Sequence, residues 1–397
     1  MKYSHLSLLL FLLFFFGSLA AQPFQTGHRT MTFTDPARNN RQIPSEIYYP
    51  STSTGNNTPI ANGAFPVIVF GHGFVMPYSA YVYFKDGMVP EGYFVVFPTT
   101  EGGILPNHAD YGADLAFLVA SMQAEGNNPA SPFYLHVDTT SAVMGHSMGG
   151  GASFLACKNN TLPTVMVTLA AAETNPSAIA AAPFITIPNL VFAADQDCVT
   201  PPSTNQIPMY DSLASDCKVF INIKGGGHCY FADYNFQCSL GEGSCQQNFT
   251  ITRDQQHSTT LDFTKLYLDY YLKKNNNAWL IFNDSLNNSP RISFQKACTT
   301  TGIIHNPHPW QVLIYPNPAT EILNVRFSGG ITDFVTLHIY NLNGTAQMKK
   351  TLPLHSANSL AINISQLPEG LYIMEIVDQD HSSFHALFYH NRHIRPQ

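Results

Sequence analysis

The stretch Gly145-His146-Ser147-Met148-Gly149 constrains the fold of this chain more than any other. It follows the apolar run Ala142-Val143-Met144 and leads into Gly150-Gly151-Ala152-Ser153-Phe154-Leu155, the pattern of a buried strand, a sharp turn and a helix start. A serine at such a turn has a strained backbone, and the flanking glycines are needed where a Cβ would strike the neighbouring strand or helix. The hydroxyl is then presented above the sheet, and the N–H groups of the first helical turn face whatever bonds to it. The spacing predicts that Ser147 is a nucleophile rather than part of a structural turn.

Where a serine on this kind of elbow is catalytic, an acid and then a histidine follow it in the chain. Downstream, Asn189-Leu190-Val191-Phe192-Ala193-Ala194 is a strong apolar strand that ends in Asp195-Gln196-Asp197-Cys198-Val199-Thr200-Pro201. Lys218-Val219-Phe220-Ile221-Asn222-Ile223 is another, closed by Gly225-Gly226-Gly227-His228. A serine hydroxyl is a poor nucleophile until a neutral imidazole removes its proton, and a buried carboxylate fixes that imidazole's tautomer. His228 is the expected base. Asp197, nearest the turn where the chain leaves its strand, is the favoured acid, while Asp195 reads as a solvated or turn-capping carboxylate. His146, at the variable elbow position, is expected to point away from the chemistry. His257 is expected to open a surface helix, and His108 to lie in a polar loop.

Upstream, Phe65-Pro66-Val67-Ile68-Val69-Phe70 reads as a central strand followed by Gly71-His72-Gly73-Phe74. Acyl transfer develops negative charge on a carbonyl oxygen, which two preorganised backbone N–H donors stabilise. Met148, directly after the nucleophile, and Phe74, on a loop that Gly71 and Gly73 let approach the elbow, are the expected donors.

Further strands are expected at Tyr93–Pro98 and Thr164–Leu169, and helices at Tyr111–Met122, Ile207–Leu213 and Thr259–Leu272. Continuously apolar strands alternating with helices predict a mostly parallel sheet covered on both faces, with ligands at the strands' carboxyl ends. Phe74, Ser147, Asp197 and His228 all fall there, and the three triad side chains are expected to meet at hydrogen-bonding distance.

The chain resembles the α/β-hydrolases, and within them the secreted dienelactone-hydrolase-like and cutinase-like esterases, bacterial polyester hydrolases included. The similar stretches are VIVFGHGF, GHSMGGGASF, LVFAADQDCVTPP and IKGGGHCYF, with NNRQIPSEIYYP looking like the family's opening strand. The resemblance covers most of residues 30–280. It implies Ser147 as nucleophile, Asp197 as acid, His228 as base and Phe74 and Met148 as oxyanion donors, with no metal or organic cofactor. Polyester-cleaving members carry a tryptophan on the loop after the strand that follows the elbow helix. Here that loop is Glu173-Thr174-Asn175-Pro176-Ser177, and Trp279 and Trp310 lie past the histidine. A small or medium acyl ester is the expected substrate.

Residues 1–21 carry one lysine, an apolar block from Leu6 to Phe16 and a small-residue end, the form of a secretory signal peptide. That block is short for a membrane span, and no later segment is long and apolar enough to be one. A net charge of −7 argues against nucleic acid as a partner. Seven cysteines in an exported chain predict disulfides with one thiol left over. Cys198, Cys217, Cys229, Cys238 and Cys245 crowd the acid and histidine loops, in a connectivity that spacing does not fix. They lack the paired Cys-x-x-Cys elements of a zinc site.

Composition changes after residue 298. Residues 299–312 read as a linker, and short alternating strands at 312–315, 323–327, 335–340, 360–364 and 371–376 predict a small antiparallel β-sandwich. IYPNPATEILNV, LHIYNLNG and LPEGLYIMEI resemble the C-terminal sorting domain of the type IX secretion system, which implies that machinery as a partner. The tail ALFYHNRHIRPQ departs from the usual lysine-rich ending. A carbohydrate- or matrix-binding module is the alternative for this region.

The expected organisation is a signal peptide (1–21), an α/β-hydrolase domain (22–298), a linker (299–312) and a sorting domain (313–397). The expected activity is that of a secreted serine hydrolase acting on carboxylic esters through an acyl-enzyme. Two rivals are a peptidase or amidase on the same fold, which faster anilide than ester cleavage would reveal, and a surface-displayed binding protein with an inactive hydrolase domain.

Overall fold

The apolar runs at 65–70, 94–98, 142–146, 165–169, 189–194 and 217–223 lie side by side in the computed structural model. It describes residues 23–298 except 244, 246 and 247, and 310–391 except 330–333, 342–344, 354–358 and 379–382. The expected signal peptide and linker residues 299–309 lie outside the described residues. The chain divides into two compact units between residues 299 and 300.

In the first unit the strands are β1 (Gln25–Asp35), β2 (Arg41–Ser51), β3 (Gly55–Asn56), β4 (Phe65–Gly71), β5 (Phe94–Pro98), β6 (Val137–His146), β7 (Val165–Leu169), β8 (Asn189–Ala194), β9 (Cys217–Ile223) and β10 (Ile292–Cys298). They form one sheet in the order β10-β9-β8-β7-β6-β4-β5-β2-β1-β3. The stretch from β9 to β5 is parallel, and β10 and the β1–β2 hairpin pair antiparallel at its two sides. β1 and β10 are not legible as apolar runs because both are largely polar strands at or next to a sheet edge; β10 is exposed along most of its length. Cys217 and Cys298 join β9 to β10 by a disulfide.

The helices are α1 (Val82–Met88), α2 (His108–Asn127), α3 (Met148–Cys157), α4 (Ala178–Ala181), α5 (Gln206–Ser212), α6 (Phe236–Glu242), α7 (Arg253–Lys273) and α8 (Asn276–Asn288). Alternation along β4 sorts them onto two faces. Val67 and Val69 pack with Leu115 and Leu118 of α2 and Phe154 of α3. Ile68 and Phe70 pack with Phe84 of α1, Phe263 and Leu268 of α7 and Phe282 of α8. This is the α/β-hydrolase arrangement, and both cores are fully buried. Helix α7 starts six residues before the apolar pattern does because Thr252 and Gln255 close a capping box there. His257 is consequently a buried residue inside that helix, stacked at 3.6 Å on Tyr83, rather than the first residue of a surface helix.

The second unit contains β11 (Trp310–Tyr315), β12 (Ile322–Gly329), β13 (Phe334–Asn341), β14 (Ala346–Pro353), β15 (Ser359–Asn363), β16 (Gly370–Val377) and β17 (Ser383–His390). They make two antiparallel sheets, β11-β12-β15 and β14-β13-β16-β17. Leu323, Val325 and Ile362 of one share a core with Leu337, Ile339, Met374 and Ile376 of the other.

Candidate active site

Ser147 stands between β6 and α3 with φ 54° and ψ −119°, a positive-φ conformation that a residue bearing a Cβ adopts only where its surroundings enforce it. Its N–H donates to the Leu169 carbonyl at 3.0 Å, and its own carbonyl accepts from Gly151 and Ala172. The glycines on either side are required by close approach: a Cβ on Gly145 would lie 2.2 Å from the Gly149 oxygen, and one on Gly149 would lie 2.1 Å from the Gly71 oxygen. The elbow is therefore clamped against the end of β4, which brings residues 71–74 beside Ser147.

Asp197 and His228 meet. The imidazole Nδ1 lies 2.8 Å from Asp197 Oδ2, with both residues buried. Asp197 Oδ1 accepts from the N–H groups of Val199 and Thr200 at 2.9 and 2.8 Å, which aims the carboxylate at the ring. Asp195 is exposed and caps the histidine loop instead, accepting from Gly225 N at 2.7 Å. Among the described residues no hydrogen bond joins Ser147 to His228, so the expected three-way contact is made on its acid–imidazole side. Nucleophile–base contacts are commonly looser before substrate binds.

Thr200, which sequence reasoning passed over, completes the surroundings of Asp197. Its hydroxyl lies 2.9 Å from Asp197 Oδ2 and 3.0 Å from His228 Nδ1, and accepts from Gln206 Nε2 at 3.1 Å. Its place three residues after Asp197 was the available signal. Gln256 and Arg253 at the start of α7 hold the histidine loop by hydrogen bonds to Gly227 and to the carbonyls of Cys229 and Ala232. Nothing in their spacing from His228 announces this.

His146 does not point away from the site. Burial and the nearby His228 ring hold its imidazole well below the usual histidine range, and its Nε2 lies 3.1 Å from the His228 carbonyl. His108 begins α2, accepts from Asn175 N at 3.1 Å and lines the cleft over Ser147.

That cleft has a volume of about 400 Å³. Phe74, Ile104, Leu105 and Pro106 line one side, and Ala172, Glu173 and Thr174 another, with Ser147 and Met148 among the lining residues. Ile104 and Leu105 are 76% and 91% exposed and Phe74 is 50% exposed, an apolar lip held up to solvent. The lip loop is anchored at its base: Glu101 accepts from Arg41 at 2.7 Å and from Asn107 N at 2.6 Å. An apolar pair inside Gly-Gly-Ile-Leu-Pro, just after a strand end, was a legible but unread signal. Among the described residues the N–H groups of Phe74 and Met148 donate to no protein acceptor; Met148 is the first residue of α3, where a free N–H is usual, and Phe74 lies in the turn after β4. A larger cleft, of about 600 Å³, lies at the β1–β2 edge and is lined by no serine or cysteine.

Two further disulfides brace the site. Cys198 follows Asp197 and is joined to Cys245, and Cys229 follows His228 and is joined to Cys238. The remaining cysteine, Cys157, is a free thiol whose burial pushes its pKa up.

Residues 313–388 match the secretion system C-terminal sorting domain, which implies a secreted or cell-surface protein. A bis(hydroxyethyl) terephthalate hydrolase of Streptomyces coelicolor is 25% identical over 187 residues, 46% of this chain and 54% of that protein. Cutinase 1 of Thermobifida cellulosilytica and a cutinase of Thermobifida fusca are each 29% identical over 113 residues, 28% of this chain and 42% and 36% of theirs. The chain thus spans about half or less of the length of these relatives. Residues 23–250 match the PET hydrolase-like family. Because that match runs from the first described residue past His228, over more than half of its length, the chain belongs to the PET hydrolase-like family.

Proposed function

We propose that this protein is a secreted serine hydrolase that cleaves carboxylic esters through Ser147, His228 and Asp197. The observation that carries this reading is the buried 2.8 Å contact between His228 Nδ1 and Asp197 Oδ2 on the strand-end rim that also bears the strained Ser147 elbow. In the scheme, Ser147 Oγ attacks the acyl carbon while His228 Nε2 takes its proton. Asp197 keeps the other ring proton on Nδ1 and stabilises the imidazolium. The oxyanion accepts from Phe74 N and Met148 N, worth a few kcal/mol in the transition state. His228 returns its proton to the leaving alcohol, and water, deprotonated by the same ring, then frees the acid. Side chains and backbone N–H groups of this chain, with water, supply every step.

The relatives, a bis(hydroxyethyl) terephthalate hydrolase and two cutinases, support an ester substrate. The apolar lip favours an ester with a hydrophobic acyl or aromatic part, and the absence of tryptophan from residues 173–177 favours one of small or medium size. We assign export to residues 1–21, catalysis to 22–298 and passage through the type IX machinery to 313–397, with 299–312 between them. Ser147→Ala should lower turnover of short p-nitrophenyl esters by roughly a million-fold without unfolding the protein. Unchanged turnover, or faster cleavage of the matching anilide by the parent, would end the esterase assignment.

A further inference from the structure

The oxyanion loop, the elbow and the histidine loop come from three distant parts of the chain, and a single thread of buried hydrogen bonds joins them. Gly73 N–H donates to the Tyr81 hydroxyl at 2.8 Å, that hydroxyl lies 3.0 Å from His146 Nδ1, and His146 Nε2 lies 3.1 Å from the His228 carbonyl. Tyr81 and His146 are completely buried. We propose that Tyr81 and His146 are positioning residues for ester hydrolysis, holding the oxyanion loop and the base loop at a fixed offset from the nucleophile; this rests on the hydrolase reading above.

The proton placement follows from the partners. A carbonyl only accepts, so His146 Nε2 carries the ring proton towards His228. The neutral ring then has a bare Nδ1, which accepts from the Tyr81 hydroxyl, and the hydroxyl oxygen in turn accepts from Gly73 N–H. Met76 Sδ, at 3.5 Å, is the weaker alternative acceptor for the same hydroxyl. With the Tyr81 hydroxyl donating to the nearer His146 Nδ1, only one tautomer of His146 satisfies all three bonds.

The packing leaves no slack. A Cβ on Gly73 would lie 2.7 Å from Met76 Sδ, 3.2 Å from the Tyr81 hydroxyl and 3.3 Å from His146 Nδ1, so the loop closes on this thread only as glycine. The Tyr81 ring is held independently against Phe70, with centroids 4.8 Å apart, so loss of its hydroxyl leaves the packing in place. Gly73 precedes Phe74, a proposed oxyanion donor, and His146 precedes Ser147. The thread therefore ends one residue from two reacting groups and on the backbone of the third. A neutral His146 also adds no second positive ring when His228, 4.7 Å away between centroids, takes up the serine proton.

The test uses the full chain with Tyr81→Phe, His146→Leu, His146→Gln and Ser147→Ala, measuring kcat and KM on p-nitrophenyl butyrate together with Tm. Tyr81→Phe and His146→Leu should lower kcat about tenfold or more and leave KM within about threefold, since they displace groups that act mainly in the transition state. His146→Gln, whose amide can still donate to the His228 carbonyl and accept from Tyr81, should recover most of the loss. Tyr81→Phe with parental kcat overturns the proposal, as does a His146→Gln as impaired as His146→Leu. If His146→Leu does not fold, Tyr81→Phe decides alone. Turnover surviving in Ser147→Ala removes the hydrolase reading and this proposal with it, whereas a dead Ser147→Ala beside a fully active Tyr81→Phe removes only this proposal.

Discussion

The side-chain amide of Gln256 pairs with both polar groups of Gly227: Oε1 accepts from its N–H at 3.0 Å and Nε2 donates to its carbonyl at 2.9 Å. Gln256 is completely buried, at the start of a helix whose capping box fixes its position. The residue it grips immediately precedes His228, so a helix start sets where the imidazole can reach.

Replacing Gln256 with alanine leaves the Gly227 N–H and carbonyl without these partners, which costs about 1–3 kcal/mol per group left unsatisfied. The expected outcome is a lower Tm together with a kcat reduced about tenfold, because the histidine loop gains freedom that the transition state must remove. Steady-state kinetics well below the new Tm checks this; a variant with lower Tm and parental kcat would make Gln256 a stability residue alone.

The lip offers a specificity test. Ile104 and Leu105 are the most exposed apolar side chains lining the cleft, so each gains most by covering a hydrophobic substrate. Burying such a side chain fully is worth about 1.5–3 kcal/mol, and partial cover about half that. Ile104→Ala with Leu105→Ala should raise KM for long-chain p-nitrophenyl esters about tenfold and leave the acetate ester within about twofold. Equal effects on both substrates would place the lip outside the binding surface.

The parts of the fold and site that the sequence made legible are those where one local pattern had one physical meaning. The run before Ser147 could be read because a strand buried on both faces is continuously apolar, and the glycines around it because a close backbone approach excludes a Cβ. β1 and β10, at or next to the sheet's edges, are not legible because a largely polar strand carries no such run. Thr200, Gln206, Gln256 and Arg253 escaped for a different reason. Each acts through a hydrogen bond whose direction depends on tertiary placement, and polar side chains of this kind otherwise look like surface. The surroundings of His146 are hidden on the same ground: its elbow position is plain in the sequence, but its partners, Tyr81 and the His228 carbonyl, lie 65 and 82 residues away in the chain.

The disulfides separate site geometry from global stability. Cys229–Cys238 closes 9 residues beside His228, and Cys217–Cys298 closes 81 between edge strand β10 and its neighbour β9. Chain-entropy reasoning gives the short loop about 2.5 kcal/mol and the long one about 4.5 kcal/mol. Replacing Cys217 and Cys298 with serine should therefore cost the larger drop in Tm and leave kcat near parental. Replacing Cys229 and Cys238 should cost less Tm and more kcat. Thermal unfolding and kinetics on the two double variants check the contrast, and kcat falling equally in both would contradict it.

Buried histidines set the acid limit of stability. His72, His146 and His257 are each held below their ordinary value of 6.5, chiefly by burial. The folded protein therefore binds fewer protons at these rings than the unfolded chain does. Their contribution is complete above about pH 6.5 and is lost as pH falls below it, with a slope of up to about 1.4 kcal/mol per pH unit for each ring. Glu242 works the other way. Burial raises its carboxyl above 4.5, so its contribution is present below that value and is lost as pH rises through the folded pKa. Three rings against one carboxyl leave a net fall in stability on acidification from about pH 6.5 to about pH 5. Urea unfolding midpoints across that range should decline, and a folded His146→Gln should decline less steeply because one ring that protonates only on unfolding has gone. A midpoint that holds constant or rises on acidification would mean that these rings are solvated or already paired as imidazolium in the folded state.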